Sequence, residues 1–166
     1  MAETSAQYKQ RVLGYLDGQD PLKVQAAVPK KIERLVLQAS PRQLKRRPAP
    51  GKWSVAEILA HLADTELVIG YRYRAVAGAP GSPLQGFDQD RWAEALHYDQ
   101  RPALPSLRAY LAQRQINLAT LKVLRPEQWK LVGQHAERGP ESIAEIARLA
   151  AGHDLNHLRQ IESILG

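Results

Sequence analysis

The last apolar segment of the chain, AEIARLAAGHDLNHLRQIESIL, spaces its apolar residues with the period of an amphipathic α-helix. Its inward stripe consists of two seven-residue registers, Ile143, Ala150, His157 and Ile164 in one and Ile146, His153 and Gln160 in the other. Two imidazoles in an apolar stripe need a polar partner, because burying an unpaired polar group costs free energy. The segment therefore predicts a core helix with a histidine pair, for which a metal ion is the simplest partner.

Helical periods elsewhere in the chain predict an all-α protein. Helices are expected near residues 4–16, 20–38, 54–77, 105–124 and 142–165, with a short additional helix near 88–96. Pro29 is expected to kink or split the second helix, since proline removes a backbone hydrogen bond. Glycine and proline in residues 78–86 and 133–140 predict a long irregular connection and a last loop. Four long amphipathic helices predict a four-helix bundle, with the long connection after its second helix.

Two of these helices share one start signal. Ser54 with Glu57, and Ser142 with Glu145, have the Ser-x-x-Glu pattern of a capping box. In this motif the serine side chain caps a free backbone amide, and the glutamate side chain reaches back to the cap. The pattern fixes where the two histidine-bearing helices begin.

The composition narrows the class of protein. With 166 residues, 44% of them hydrophobic, the chain suits a single domain, residues 1–166, with one core. The absence of cysteine excludes disulfides, thiolate ligands and iron-sulfur clusters, which leaves histidine and carboxylate as metal ligands. The polar start, MAETSAQYKQ, and the lack of about eighteen consecutive apolar residues predict a cytoplasmic protein without a membrane partner.

The chain carries a net charge of +6, which raises the question of a polyanionic partner. The densest basic run lies between Pro41 and Pro48 and consists of Arg42, Lys45, Arg46 and Arg47. Because this run has no interleaved aromatic residues and no reading helix, we interpret it as a solvated loop and expect no nucleic-acid partner. The positive balance equally suits a small anionic substrate.

The histidine pair predicts part of a metal site. Histidines four residues apart lie on one helical face, close enough to reach a single ion. His61, in the apolar stretch AEILAHLADTE, is the natural third ligand, and three histidines leave a coordination position open for water or substrate. A di-iron carboxylate site is disfavoured, because Glu57 precedes His61 by four residues rather than three. Spacing alone does not distinguish a metal pair from ordinary core or surface histidines that are bonded to a neighbour. That ordinary role is the better interpretation of His97 or His135 taken alone.

The stretches GKWSVAEILAHLADTE, RPEQW and HAERGPESIAEIARLAAGHDLNHLRQIE resemble the DinB/YfiT-like superfamily of metal-binding four-helix bundles. The resemblance is clearest over residues 21–166. In that family one histidine of the second bundle helix and two of the last hold a divalent metal, usually zinc or nickel. The resemblance therefore implies the ligands His61, His153 and His157. Relatives are often dimers, so it also suggests a homodimer.

Three functions remain open. Characterised relatives are largely thiol-dependent transferases and isomerases, so the resemblance implies a metal-dependent thiol S-transferase or related detoxification enzyme, with a low-molecular-weight thiol as co-substrate. The first alternative is a metal-dependent hydrolase in which the metal-bound water attacks a small-molecule substrate. The second is a non-catalytic metal-binding or stress-response module.

Residues near the predicted ligands are candidates for supporting roles. A ligand histidine usually donates its second ring proton to an oxygen acceptor, and the acceptors within one turn are Asp64, Thr65, Glu57 and Asn156. Two further residues belong to the matched motif but have no assigned direction, namely Asp154 and Gln160. Glu66 is expected to form a structural ion pair with Arg72 or Arg74. His135 is a weaker candidate for the site entrance.

Overall fold

The computed structural model describes residues 4–166, which form seven α-helices and a small three-stranded sheet. The helices are α1 (Ser5–Leu16), α2 (Pro21–Gln38), α3 (Pro41–Lys45), α4 (Val55–Gly78), α5 (Gln89–Ala95), α6 (Ala103–Lys122) and α7 (Ile143–Leu165). Two short 3₁₀ helices follow α5 and α6. Within residues 4–166 the structure contains no helix with the length and apolar character needed to span a membrane.

The four longest helices form the predicted bundle. Helix α4 packs most extensively against α6, α2 packs against α7, and α4 and α7 also touch each other. The all-α four-helix-bundle prediction is confirmed, as are the short helix α5 and the long connection after α4. Helix α1 packs on the outside of α7. This packing is close at Gly152, where a Cβ atom would collide with the carbonyl oxygen of Val12.

Both predicted capping boxes are present. Ser54 Oγ and the Ser54 amide donate to the Glu57 carboxylate at 2.7 and 2.8 Å, and Ser142 makes the same bonds to Glu145 at 3.0 and 2.9 Å. Each serine oxygen also accepts a bond from the amide of its glutamate. These bonds satisfy amides that have no partner within the helix, so they set the first turns of α4 and α7.

Pro29 does not split the second helix, because α2 continues from Pro21 to Gln38, so that part of the prediction of a kink or a split is wrong. Proline has no amide proton, so the carbonyl of Gln25, four residues earlier, loses its helical partner. Arg114 of α6 supplies the missing bond, since its Nη1 donates to the Gln25 carbonyl oxygen at 3.1 Å. A neighbouring helix thus satisfies the group that the proline leaves free.

The loop predicted at residues 133–140 is instead a β-hairpin. Strands β2 (Val132–His135) and β3 (Gly139–Ser142) pair antiparallel, and the connection after α4 adds the parallel strand β1 (Pro83–Leu84). The inward positions of β2 are Gly133 and His135, so the strand shows no apolar alternation in the sequence. Gly133 is required there, because a Cβ atom would lie 2.7 Å from Val76 and 2.9 Å from Leu84.

Two apolar clusters fill the interior. One contains Ile32, Leu59, Tyr110 and Ile161, and the other contains Tyr73, Val76, Leu121 and Ile143. Buried charged and polar side chains of α4, α6 and α7 adjoin these clusters. The three predicted metal ligands, His61, His153 and His157, are among these buried polar groups.

Candidate metal centre

The structure brings the three predicted ligands, His61, His153 and His157, into one buried group, which we name the three-histidine cluster. His61 comes from α4 and the other two come from successive turns of α7. All three side chains are at least nine-tenths buried. Among the residues that the structure describes, this group contains three imidazoles and no carboxylate.

The ring nitrogens converge as ligands of one ion would. His153 Nε2 lies 2.9 Å from His61 Nε2 and 3.0 Å from His157 Nε2, and one ligand nitrogen from each residue lies within 4.8 Å of the others. Two nitrogens that are each about 2.1 Å from a metal lie about 3 Å apart when they subtend a right angle at it. A proton on His153 Nε2 can form a good hydrogen bond to only one of its two neighbouring nitrogens. A cation at the same place can accept a lone pair from each of the three rings. The donor set therefore fits a divalent cation.

Burial keeps these imidazoles neutral, which is the protonation state that binds metals. Burial lowers the pKa of His61 and His153 well below the usual value, and the neighbouring imidazoles lower each further. Burial lowers the pKa of His157 to about 4, although the hydrogen bond to Gln160 acts to raise it. Near neutral pH each ring therefore offers an unprotonated nitrogen.

Gln160 orients one ligand. His157 Nδ1 lies 2.8 Å from Gln160 Oε1, and since an amide oxygen only accepts, the ring proton is on Nδ1 and the lone pair is on Nε2. Thr65 Oγ1 lies 3.4 Å from His61, at the long limit of a hydrogen bond. The indole of Trp53 packs against His61 with ring centroids 5.0 Å apart.

Three other predicted supporting residues have different partners. Asp64 accepts bonds from Tyr98 and Arg101 at 2.8 and 2.6 Å. Glu57 is occupied by its capping box and by Arg47, and Asn156 accepts a bond from Arg11 at 2.8 Å. The sequence identified residues one turn from a ligand, but it did not show which side of each helix faces the cluster.

A buried ion-pair triad lies beside the cluster. Arg114 bonds Glu66 at 2.9 and 2.6 Å and Asp154 at 2.5 and 3.0 Å, and the three side chains are at most 4% exposed. The predicted pairing of Glu66 with Arg72 or Arg74 is therefore wrong. The actual partner lies on α6, 48 residues along the chain. Since Asp154 follows His153 directly, the triad helps to fix the position of that turn of α7.

A cavity of about 590 Å³ opens onto the cluster. His61 and His153 line one part of its wall, and His135 of β2 lines it as well, which agrees with the weaker prediction for that residue. Apolar side chains, including Ile69, Ile146 and Leu149, also line this cavity. A second cavity of about 600 Å³ shares Tyr8 with the first and is lined by His157 and Trp53. A small molecule that enters the first cavity therefore reaches two of the three imidazoles.

A family model, a similar protein and a similar fold match this chain. The model of the DinB superfamily matches residues 26–161. The chain is 26% identical over 137 residues to "Putative metal-dependent hydrolase OB0782" of Oceanobacillus iheyensis, a match covering 82% of this chain and 79% of that protein. Its fold is similar to that of YfiT from Bacillus subtilis, described as "a probable metal-dependent hydrolase with an unusual four-helix bundle topology". The TM-score is 0.80 at 19% identity, over 98% of this chain and 88% of that one.

Proposed function

Because this chain belongs to the DinB superfamily, we propose that it is a metal-dependent hydrolase whose divalent cation is held by His61, His153 and His157. The convergence of three buried, neutral imidazoles, two of which line the wall of one cavity, is the observation that carries this proposal. Three protein ligands leave coordination positions for water and substrate, as in catalytic rather than structural sites.

The comparisons favour hydrolysis over the thiol S-transferase activity that the sequence suggested. The similar protein from Oceanobacillus iheyensis is named a "Putative metal-dependent hydrolase", and the protein of similar fold from Bacillus subtilis is described as "a probable metal-dependent hydrolase". The donor set is compatible with either reaction, since an open histidine site activates a thiol or water. A hydrolase needs no second substrate besides water, so it is the simpler assignment.

The chain's own residues would hold the cation and contact the substrate. Gln160 keeps the Nε2 lone pair of His157 directed at the cluster. Ile69, Ile146 and Leu149 form an apolar part of the cavity wall that an apolar group of the substrate can contact. A divalent cation bound there would lower the pKa of water and polarise a substrate carbonyl or related group.

Thiol-free turnover tests the proposal. Protein stripped with a chelator and reloaded with zinc, nickel or manganese would be assayed with 4-nitrophenyl acetate, and separately with 1-chloro-2,4-dinitrobenzene plus glutathione or bacillithiol. We expect metal-dependent ester hydrolysis without thiol, which falls to the background rate in His153→Ala. The control is His97→Asn, because His97 is exposed and its left-handed backbone (φ 48°) accommodates asparagine.

The other outcomes separate the competing functions. Turnover only in the presence of thiol would identify a transferase and contradict the hydrolase proposal. Full metal loading with neither activity would support a non-catalytic module. Equal ester hydrolysis by the wild type and His153→Ala would place the activity outside the cluster.

A further inference from the structure

Arg72 is a buried guanidinium without a carboxylate partner. It lies on α4 in the wall of the first cavity, 8% exposed, and it forms no ion pair within 4.0 Å among residues 4–166. Its Nη2 donates to the carbonyl oxygen of Gln85 at 2.6 Å, whereas its buried Nε has no hydrogen-bond partner in that part of the chain. A buried charge without a counter-charge is costly, so this position is suited to an anion that arrives with a ligand.

His135 adds a second donor at the same place. The backbone amide of Glu137 donates to His135 Nδ1 at 3.2 Å, so the proton of the neutral ring lies on Nε2. Burial lowers the pKa of His135, which keeps the ring neutral. His135 Nε2 lies 3.4 Å from Nη2 of Arg72, which can only donate. Two donors thus face each other with no acceptor between them, and a ligand oxygen would satisfy both.

The surrounding charges favour a singly charged ligand. Arg138 is paired with the buried Glu141 by bonds of 2.6 and 2.9 Å, so Glu141 acts on Arg72 only from a longer distance and no carboxylate of the described residues contacts Arg72 directly. The same cavity wall also contains acidic residues, Asp88, Asp90 and Glu137. These carboxylates would repel a doubly charged phosphate more strongly than a carboxylate.

Helix geometry relates this donor pair to the three-histidine cluster. His61 and Arg72 are eleven residues apart, which is about three turns, so both lie on one face of α4. Thr65 and Ile69 lie on that face between them, and all four residues line the cavity. The axial separation of the two Cα atoms is about 16 Å, and arginine side chains lean back towards the helix N-terminus. A molecule several carbon atoms long is therefore needed to join the two sites.

We propose that Arg72 and His135 bind the carboxylate of the substrate, so that the protein acts on small monocarboxylates whose hydrolysable group is separated from the carboxylate by an apolar spacer. The reaction in this assignment rests on the proposed hydrolase function, whereas the binding of a carboxylate does not. Arg72 supplies a positive charge and N–H donors from its Nε and Nη2, and His135 supplies the N–H of a neutral ring. Ile69, which lies between the two sites on the same face of α4, contacts the spacer.

Binding to metal-free protein tests the proposal independently of catalysis. Chelator-stripped protein would be titrated calorimetrically with hexanoate, its neutral analogue hexanamide, and inorganic phosphate. We expect hexanoate to bind, and to bind about 10- to 100-fold more weakly in Arg72→Met, because charge-assisted hydrogen bonds are lost. Hexanamide should bind weakly to both proteins. Arg34→Met, at an exposed position of α2, is the matched control for loss of one positive charge and should bind as the wild type does.

Further variants keep the test decisive if Arg72→Met does not fold, as judged by circular dichroism. Arg72→Lys retains the positive charge but not the planar guanidinium, and it should weaken hexanoate binding. His135→Phe removes the second hydrogen-bond donor and should also weaken it. His135→Gln keeps an N–H donor and should bind hexanoate more tightly than His135→Phe does. Hexanoate binding that needs the metal, or that survives Arg72→Lys and His135→Phe unchanged, would overturn the proposal. Preferential binding of phosphate with the same dependence on Arg72 would overturn the carboxylate assignment. Retained hexanoate binding in a protein that hydrolyses nothing would refute the hydrolase function alone.

Discussion

Replacing Arg114 by methionine removes the guanidinium that bonds both Glu66 and Asp154. Arg114 makes four hydrogen bonds to these carboxylates and a fifth to the Gln25 carbonyl. Both carboxylates are at most 2% exposed, so the variant would bury two negative charges side by side. Breaking a buried ion pair in this way typically costs about 3–5 kcal/mol. We expect the free energy of unfolding near pH 7.5 to fall by that amount in metal-free protein.

The pH dependence of this loss identifies its cause. Burial raises the pKa of Asp154, and Arg114 opposes the rise, so its removal raises that pKa further. A carboxyl group whose folded pKa exceeds its unfolded value stabilises the fold below the unfolded pKa, and that stabilisation disappears as the pH rises through the folded pKa. The difference between variant and wild type should therefore be smaller near pH 5 than near pH 7.5.

Urea unfolding followed by circular dichroism at both pH values measures the two effects. Arg108→Met, at an exposed position of the same helix, is the control and should change the free energy of unfolding by less than about 0.5 kcal/mol. Adding Glu66→Gln and Asp154→Asn to Arg114→Met should recover part of the loss. A loss below about 1 kcal/mol, or one that does not change with pH, would refute the reasoning that charge burial dominates.

Three further predictions concern the metal and the helix packing. Elemental mass spectrometry should find about one divalent metal ion per chain, and the alanine variant of each cluster histidine should lose it while His97→Asn keeps it; metal retention in all variants would exclude the cluster as the site. Gln160→Leu should weaken metal affinity about 10- to 100-fold in a competition titration, whereas Gln38→Leu, also exposed, should leave it unchanged; equal affinities would remove the orienting role. Gly152→Ala should lower the free energy of unfolding by about 1–3 kcal/mol, because the added methyl group would collide with the Val12 carbonyl. The control Gly14→Ala, at a position with open space around it, should raise the free energy of unfolding by about 0.5–1 kcal/mol. A Gly152→Ala variant that is more stable than the wild type would contradict the close packing of α1 on α7.

The helices and the position of the cluster could be predicted from the sequence, because both depend on local patterns. Apolar residues at helical spacing and two capping boxes fix α4 and α7 to within a few residues. Once these helices are known to pack together, inward histidines on both must lie near each other. The resemblance to the family supplied the pairing of these helices, which periodicity alone does not give.

The polar network could not be predicted, because its members depend on how helices are placed relative to one another. Glu66, Arg114 and Asp154 come from three helices, and neighbours in the sequence were the wrong guide to the partner of Glu66. The contact between Arg72 and His135 could not be predicted for the same reason. His135 reaches the cavity through a hairpin in which backbone pairing, rather than apolar alternation, is the determining feature.

The hydrogen bond between Arg114 and the Gln25 carbonyl links Pro29, in the middle of α2, to a residue of α6. Pro29 is tolerated inside α2 because a side chain from another helix satisfies the free carbonyl. Replacing Pro29 by alanine would restore the helical bond and release Arg114 from one of its acceptors. Substitutions at positions 29 and 114 should therefore show epistasis, so that the effect of either change depends on which residue occupies the other position. In the divergence of related chains, a proline at this position is expected to persist where the arginine persists.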